Sequence, residues 1–538
     1  MRLLVLTKRV LAIIVIWFLT SIAYAQENNF IEGKLLDATD ETPIPFATIK
    51  VKNKSKGLIS NMDGGFKIPE KLKTLGDTLV ISSIGYTSQE VLLSRLKKNE
   101  LNTIRLIPKV ETLSTVIIIG SKKNERDKRY EGKKLSARTI IKTAIEQIPD
   151  NYPFDPFSYV GYYRDYQIKE KTYVNLNEAI MNVSDPGFGY QDKKHTRVQL
   201  HTYKRNTNFP IDTISSKPYD YVNKNKVIPN ATLDGQGGNE YTILRLHDAI
   251  RNYNIDSYDF MNRFDEDLIK NHRLKLLPET SIDNIELYVV NIVKTQENYK
   301  AEGKVYVSKN DFKIYKLEYA VFDKRTPKKK KTASIKNTKF SNLLYEIIVA
   351  YQLEGAKMYP SYISFNNSFK VLQPPKFKPT DLVINHQKKR FELTFNNALE
   401  IKSTTRKNNY KLFYKNQKIT IDSIAVKDKT ALLYPKNQES IFESDMLTTF
   451  VTNKKEEENP EAYIELKNIK DTFGSVVNKQ ESSTYYQYRE FFVQELKLNS
   501  LPIIGATYMS KNKPIYLNQP ITILKNIDDY WMNTPLKN

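Results

Sequence analysis

The sequence predicts a mainly β protein with minor α: a small β-sandwich, then a larger antiparallel-sheet α+β domain that a second β-sandwich interrupts. Three observations predict it. Short alternating apolar runs recur along the chain, separated by turns bearing Gly, Asn and Asp. The composition favours strands, with 35 Tyr and 24 Phe against 18 Gly. Helical candidates are few, one amphipathic segment and two shorter ones. At 538 residues the chain is too long for one small core, and roughly three domains are expected.

The N-terminus, "MRLLVLTKRVLAIIVIWFLTSIAYAQ", carries Arg2, Lys8 and Arg9, an apolar run from Val10 to Leu19, and Ala23-Tyr24-Ala25 before Gln26. This is the pattern of a secretory signal with a small-x-small cleavage site, so residues 1–25 are expected to be removed. An uncleaved anchor would need about 20 apolar residues, and the run is shorter. No other segment approaches spanning length, so no transmembrane helix is expected after signal removal. The chain has no Cys, which excludes disulfides and a lipid on an N-terminal Cys. These features fit an exported protein of a Gram-negative envelope, in the periplasm or at the outer membrane or cell surface. The formal charge is +22. The cations are scattered, with runs at Ser121–Lys134 and Thr326–Lys331 that read as solvated linkers, and no nucleic-acid module accompanies them. No nucleic-acid partner is expected; non-specific contact with lipid headgroups or acidic glycans is compatible with the charge.

Residues 27–108 read as short strands: "FIEGKLLD", "ETPIPFATIKVKN", "KGLISNMDGGFKI", "DTLVISSIGYTSQEVLL" and "LNTIRLIP". Within them, "GLISNMDGGFKI" (Gly57–Ile68) poses a choice between a metal loop and a β-hairpin turn. Asp-Gly and Gly-Gly tolerate the positive φ of a tight hairpin. A calcium loop needs more oxygen ligands and a distal Glu, whereas only Asn61 and Asp63 are on offer. A turn is expected, with Ile59 and Phe66 on opposite strands of one core. The region resembles the carboxypeptidase-regulatory-like domain, a transthyretin-type sandwich. The marks are Gly33, Asp37, Pro45-Phe46-Ala47, Ser60-Asn61, Asp63-Gly64, Phe66 and Ile84-Gly85-Tyr86. The resemblance implies a module found at the front of TonB-dependent outer-membrane receptors and other envelope proteins, and not itself a peptidase. Leu113–Lys123 resembles the segment that follows it in such receptors.

Residues 109–134 read as a charged linker, and 135–378 as an antiparallel-sheet domain with short helices. "LSARTIIKTAIEQIP" has apolar residues on one helical face, with Ser136 placed to cap its start and Pro149 at its expected end. Two Tyr-rich strands follow, then a polar stretch with "LDGQGGNE" as a loop, and two short helices in "YTILRLHDAIRNYN" and "SYDFMNRFDEDLIKNH". The hairpins come next, turning at "SKND" and "EGAK". This succession resembles the middle part of exported proteins carrying the regulatory-like domain. It also resembles the curved half-barrel of lipoprotein-localisation carriers, which implies a concave sheet holding acyl chains. Residues 379–483 resemble bacterial immunoglobulin-like domains through Phe391–Leu399, Asn408–Leu412 and Leu466–Val477. Phe391, Leu393 and Phe395 alternate onto one face, Asp471 with Gly474 supplies a turn, and Thr452–Tyr463 is a charged loop. Residues 484–538 then read as closing strands of the central domain, which makes the immunoglobulin-like domain an insertion. A linear order of three domains is the alternative.

No catalytic, cofactor-binding or metal residues are assigned, and no cofactor is expected. The five His (195, 201, 247, 272, 386) form no H-E-x-x-H. His195 and His201, six apart, would lie on one strand face about 20 Å from each other, facing solvent. There is no Cys nucleophile, G-x-S-x-G elbow or phosphate-binding Gly loop. Three acids in Phe264–Leu268 read as a solvated helix face. The favoured reading is a non-catalytic envelope scaffold that binds a partner or ligand of unknown identity. The alternatives are a hydrolase whose carboxylates gather only in the fold, and a carrier of an apolar ligand on a curved sheet. A deep pocket of converging acids would favour the hydrolase, a long apolar groove the carrier, and a sheet covered on both faces the scaffold.

Overall fold

The computed structural model describes residues 30–54, 56–74, 76, 78–109, 135–169, 172–217, 219, 225–228, 239–257, 260–325, 342–414, 417–442 and 462–536. The signal segment 1–25, nearly all of the linker 109–134, the run 326–331 and most of the loops 233–240 and 452–463 lie outside the described residues. The fold is mainly β with minor α. The described chain forms two compact units: one takes 30–217, 228–369 and 485–536, the other 219–227 with 370–484.

The first unit opens with a two-sheet sandwich of β1 (Phe30–Asp37), β2 (Thr48–Val51), β3 (Gly57–Ile59), β4 (Gly65–Pro69), β5 (Thr78–Ser82), β6 (Gln89–Leu92) and β7 (Asn102–Leu106). The alternation of "FIEGKLLD" buries Ile31 and Leu35, which meet Ile49, Phe66, Ile81 and Leu106 in one core. The sheets are β4-β1-β7 and β3-β2-β5-β6. The expected hairpin across "NMDGG" is therefore corrected. β3 pairs with β2 while β4 pairs with β1, so the turn carries the chain from one sheet to the other. Gly64, at φ +74°, makes the bend, with Asn61 N donating to Gly65 O at 2.8 Å. Phe66 fills the sandwich core and lies so close over Gly33 that a Cβ there would sit 2.1 Å from its ring. Ile59 faces out of that core, against Val160, Tyr162 and Phe492.

The larger domain begins with α1 (Ala137–Glu146), whose cap is the expected one: Ser136 Oγ accepts from Thr139 N at 3.1 Å. α1 stops before Pro149, which sits in the first turn of α2 (Ile148–Asn151), where its missing N–H does no harm. β8 (Phe157–Lys169), β9 (Thr172–Asp185), α3 (Asp192–His195), β10 (Arg197–Arg205) and β11 (Lys226–Val227) follow. Then come α4 (Glu240–Leu246), α5 (Phe264–Asn271) and six strands: β12 (Arg273–Ile282), β13 (Ile285–Thr295), β14 (Tyr299–Ser308), β15 (Ile314–Asp323), β16 (Leu343–Glu354) and β17 (Lys357–Leu372). β12 was not foreseen, because Pro278 interrupts its alternation. The proline falls at a break in register on an edge strand, where it is tolerated. The β16–β17 hairpin turns at "EGAK" as expected, with Gly355 at φ +59°.

The second unit comprises β18 (Pro379–Asn385), β19 (Arg390–Phe395), α6 (Ile401–Thr404), β20 (Tyr410–Tyr414), β21 (Gln417–Ile419), β22 (Ile421–Lys427), β23 (Thr430–Pro435), α7 (Gln438–Phe442) and β24 (Ala462–Leu466). Sheets β18-β19-β23-β22 and β21-β20-β24 enclose Phe391, Leu393, Phe395, Leu412 and Ile464. Asp471 Oδ1 accepts from Phe473 N and Ser475 N around Gly474, at φ +84°. β11 pairs with Lys370 and Val371 in this unit.

β25 (Ser482–Leu498) returns the chain to β8, and the main sheet runs β10-β9-β8-β25-β17-β16-β15-β14-β13-β12. The expected closing strands reduce to this one. Among the described residues, 499–536 form no further strand and hold one 3-10 turn, Ile527–Asp529, and one parallel bridge, Leu200 to Ile521. Pro502, Pro514 and Pro520 deny the segment the donors of a ladder. One sheet face carries α4 over β8 and β25, where Tyr241 meets Tyr163 and Phe491, and α1 with α5 at the end formed by β12 and β14. The opposite face meets Phe46 and Ile59 of the first sandwich, and Leu524, Ile527 and Tyr530 of the C-terminal segment.

Candidate functional site

Three polar assemblies stand out in the first unit. The first fastens the opening turn. Arg164 of β8 is fully buried and donates from Nε to Glu490 Oε2 at 2.5 Å and from Nη1 to Asn61 Oδ1 at 2.5 Å. Its guanidinium lies 4.9 Å from the Phe492 ring centre, and Glu490 Oε1 accepts from Tyr362 OH at 2.8 Å. Asn533 closes the set, with Nδ2 donating to Ile59 O and Oδ1 accepting from Lys67 N. Asn61, weighed as a metal oxygen, thus serves as acceptor for a buried arginine. Asp63 Oδ1 accepts from Gly65 N at 3.2 Å. Among the described residues, no group of three His, Asp or Glu is placed to hold an ion.

The second assembly gathers carboxylates that sequence reasoning missed. Asp185, Asp192 and Asp248 meet Arg245 and Arg251, all buried. Arg251 Nη2 donates to Asp185 Oδ1 at 2.9 Å, Arg245 Nη2 to Asp185 Oδ2 at 2.9 Å, and Arg245 Nε to Asp192 Oδ2 at 3.1 Å. Tyr351 OH donates to Asp248 Oδ2 at 2.8 Å. Burial lifts Asp192 to about 7 and raises Asp248 above its usual range, with the arginines opposing. The adjoining cavity measures about 20 Å³, room for one water and no substrate. Two arginines hold the acids in ion pairs, so the cluster is a structural core.

The histidines are dispersed. His195 ends α3, exposed, beside the Tyr190 ring. His201 is on β10 but buried, its Nδ1 2.9 Å from Thr522 O, which corrects the solvent-facing pair. The C-terminal segment that covers it is invisible to local pattern. His272 lies between Asp267 O and Tyr319 OH, His247 stacks on Phe365 at 3.8 Å, and His386 packs by Phe442. Burial pulls the pKa values of His201 and His272 down, favouring neutral rings. Of the acids in Phe264–Leu268, Asp267 is buried and pairs with Lys294 at 2.8 Å, so that helix face is only partly solvated.

The third assembly is open. A cleft of about 520 Å³ lies between β2 and β5 of the first sandwich and the outer face of β15–β17. Lys50 reaches across it to Gln352 Oε1 at 2.7 Å. Burial lowers its pKa, while Glu354 and Asp283 favour its charge. Tyr306 and Tyr315 form aromatic wall, their hydroxyl pKa values raised by burial, and Glu318 pairs with Lys316 at 2.7 Å. Its size, position between two layers and mixture of ring faces with a few polar groups are those of a ligand pocket.

With this geometry in place, comparison with known proteins decides one point. Residues 31–118 match the model of the CarboxypepD_reg-like domain. The regulatory-like domain therefore covers the first sandwich, which supplies one wall of the cleft, and accounts for its Asp-Gly turn and Ile-Gly-Tyr segment. No curated protein matches the chain. A LolA superfamily protein from Nitrosomonas europaea aligns at 12% identity over 44% of this chain and 86% of its own, with a TM-score of 0.19. A domain described as an outer-membrane lipoprotein-sorting protein, from Vibrio parahaemolyticus, aligns at 12% over 43% and 86%, with a TM-score of 0.21. At these scores the likeness supports no functional inference.

Proposed function

We propose that the chain is a non-catalytic, exported envelope protein, a multidomain β scaffold that binds a partner or ligand in the cleft between its regulatory-like domain and the main sheet. In this reading the second sandwich is an inserted immunoglobulin-like domain, and the protein works in the periplasm or at the outer membrane. One observation carries the proposal: a cleft of about 520 Å³ stays open between the first sandwich and the main sheet, although α4 packs on one face of the central strands and the sandwich with the C-terminal segment on the other. The converging acids Asp185 and Asp192 are sealed around Arg245 and Arg251. The cleft is an accessible concavity between the first sandwich and the main sheet.

The test uses the chain lacking residues 1–25. Wild type and Lys50→Met are incubated with an envelope extract, and bound small molecules are identified by mass spectrometry. A species retained by wild type and lost with Lys50→Met supports the cleft. Stoichiometric co-purifying lipid, or turnover of peptide or glycan substrates by the purified chain, would replace the scaffold with a carrier or a hydrolase.

A further inference from the structure

Eighteen large apolar side chains are exposed among the described residues, and eight of them fall between Leu498 and Ile523. Ile504 is 100% exposed, Ile523 97%, Leu501 70%, Ile503 63% and Ile521 62%. Single apolar side chains on a surface are ordinary, but this density on one segment is not. The segment is also held in place. Met509 N donates to Val198 O at 2.7 Å and Thr522 N to Leu200 O at 2.8 Å, so two passes of chain lie against β10, the edge strand. Gly505, at φ +78°, and the bond from Ala506 N to Ile503 O at 3.2 Å close a bend with Ile503 and Ile504 at its tip. Tyr508 OH fastens the bend through Ile503 O at 2.9 Å.

Charge selects the partner. From Lys497 to Lys525 the chain carries Lys497, Lys511, Lys513 and Lys525 and no acid. Lys511 is bound to the carbonyl of Lys193, which brings Lys193 and Lys194 alongside, and Arg197 opens the strand beneath. Of the neighbouring acids, Asp192 is buried against Arg245, Glu495 accepts from Tyr530 and Asp529 pairs with Lys56, so Asp528 alone stands exposed beside four lysines. A second copy of the chain would bring the same lysines to the same interface, like charge against like charge.

We propose that residues 498–523 anchor the protein to a lipid bilayer bearing anionic headgroups. Ile503, Ile504, Ile521 and Ile523 enter the acyl boundary while the lysines sit among phosphates. Each cation at an anionic surface strengthens binding roughly fivefold, and the apolar tips supply the short-range part. The proposal rests on the envelope reading for the presence of a membrane. Its failure would leave the cleft experiment untouched.

The chain lacking residues 1–25 is floated with vesicles of phosphatidylcholine alone or mixed with phosphatidylglycerol. Wild type is expected on the mixed vesicles, at least tenfold more tightly than on neutral ones. Ile504→Ser with Ile523→Ser, which removes no buried contact, should weaken binding at least tenfold, and Lys513→Gln with Lys525→Gln about twenty-fivefold. In Ile504→Trp the introduced indole should shift to the blue on mixed vesicles only. Absence of flotation, or flotation indifferent to the serine pair, overturns the anchor. So does a dimer that the serine pair dissolves while wild type ignores both vesicles, which would mark a protein interface.

Discussion

Replacing Arg164 by Met removes the cation that Glu490 and Asn61 share in the buried network. Glu490 is 1% exposed, so its charge cannot turn to water, and Tyr362 OH is left as its remaining donor among those described. Breaking a buried pair from one side costs about 3–5 kcal/mol, most of it the stranded charge. Glu490→Gln keeps an amide acceptor for Arg164 but leaves the fully buried guanidinium without its counter-ion, so it too should cost about 3–5 kcal/mol. The assay is urea unfolding followed by tryptophan fluorescence. The sequence holds two Trp, one of them Trp17 in the signal segment, so in the chain lacking residues 1–25 Trp531 reports alone. Its ring packs in the first sandwich's core and its Nε1 donates to Lys67 O at 3.0 Å, so its emission follows the docking of the C-terminal segment. Arg164→Met should lower the stability read at Trp531 by the full amount. An unfolding curve superimposable on wild type would refute the claim that this network holds sandwich, sheet and tail together.

Gly64→Ala places a Cβ 2.4 Å from Leu35 O on a residue at φ +74°, and should cost about 1–3 kcal/mol of the first unit's stability; an unchanged urea midpoint would contradict this. Phe391→Ala empties part of a core made wholly of second-unit residues, and should lower that unit's transition by about 3–5 kcal/mol in calorimetry while the transition of the first unit stays. Asp165 has its pKa raised from 3.8 to about 7 by burial first and by Glu240 second. Its folded state therefore holds the proton more tightly than the unfolded chain, so its contribution is full below pH about 4 and lost as pH rises through about 7. Asp165→Asn should flatten that decline, worth up to about 4 kcal/mol; parallel pH profiles for the two proteins would count against the assignment.

Local pattern was legible wherever burial followed the strand period. Ile31 and Leu35, and again Phe391, Leu393 and Phe395, face their cores as the alternation requires, and Ser136 caps α1. What escaped was information that no local window contains. The turn chemistry of Asn61 to Gly65 suits a hairpin and a sheet-to-sheet crossing alike, since both need one positive φ at Gly64. The partner of Arg164 lies 326 residues away, because β25 returns only after the second unit. β12 hid behind Pro278, whose meaning depends on being at an edge. His201 looked exposed because its cover, Thr522, comes from a segment without strand character.

The buried pair also bears on why the lock is polar at all. Arg164 with Glu490 could be exchanged for apolar residues of similar volume at little or no net cost, since desolvation offsets much of the pair's attraction. Its contribution is then geometric. Asn61 and Asn533 present directional acceptors, and a tail displaced by one residue would strand Arg164, Lys67 N and Trp531 Nε1 together. On this view Arg164→Met with Glu490→Met should restore the urea midpoint to within about 1 kcal/mol of wild type. The same variant should leave the tail free to settle in several positions, read as stronger acrylamide quenching and a broader emission band from Trp531. Restored stability with wild-type quenching would mean that apolar packing alone sets the register, and that the polar contacts to Asn61 are its consequence.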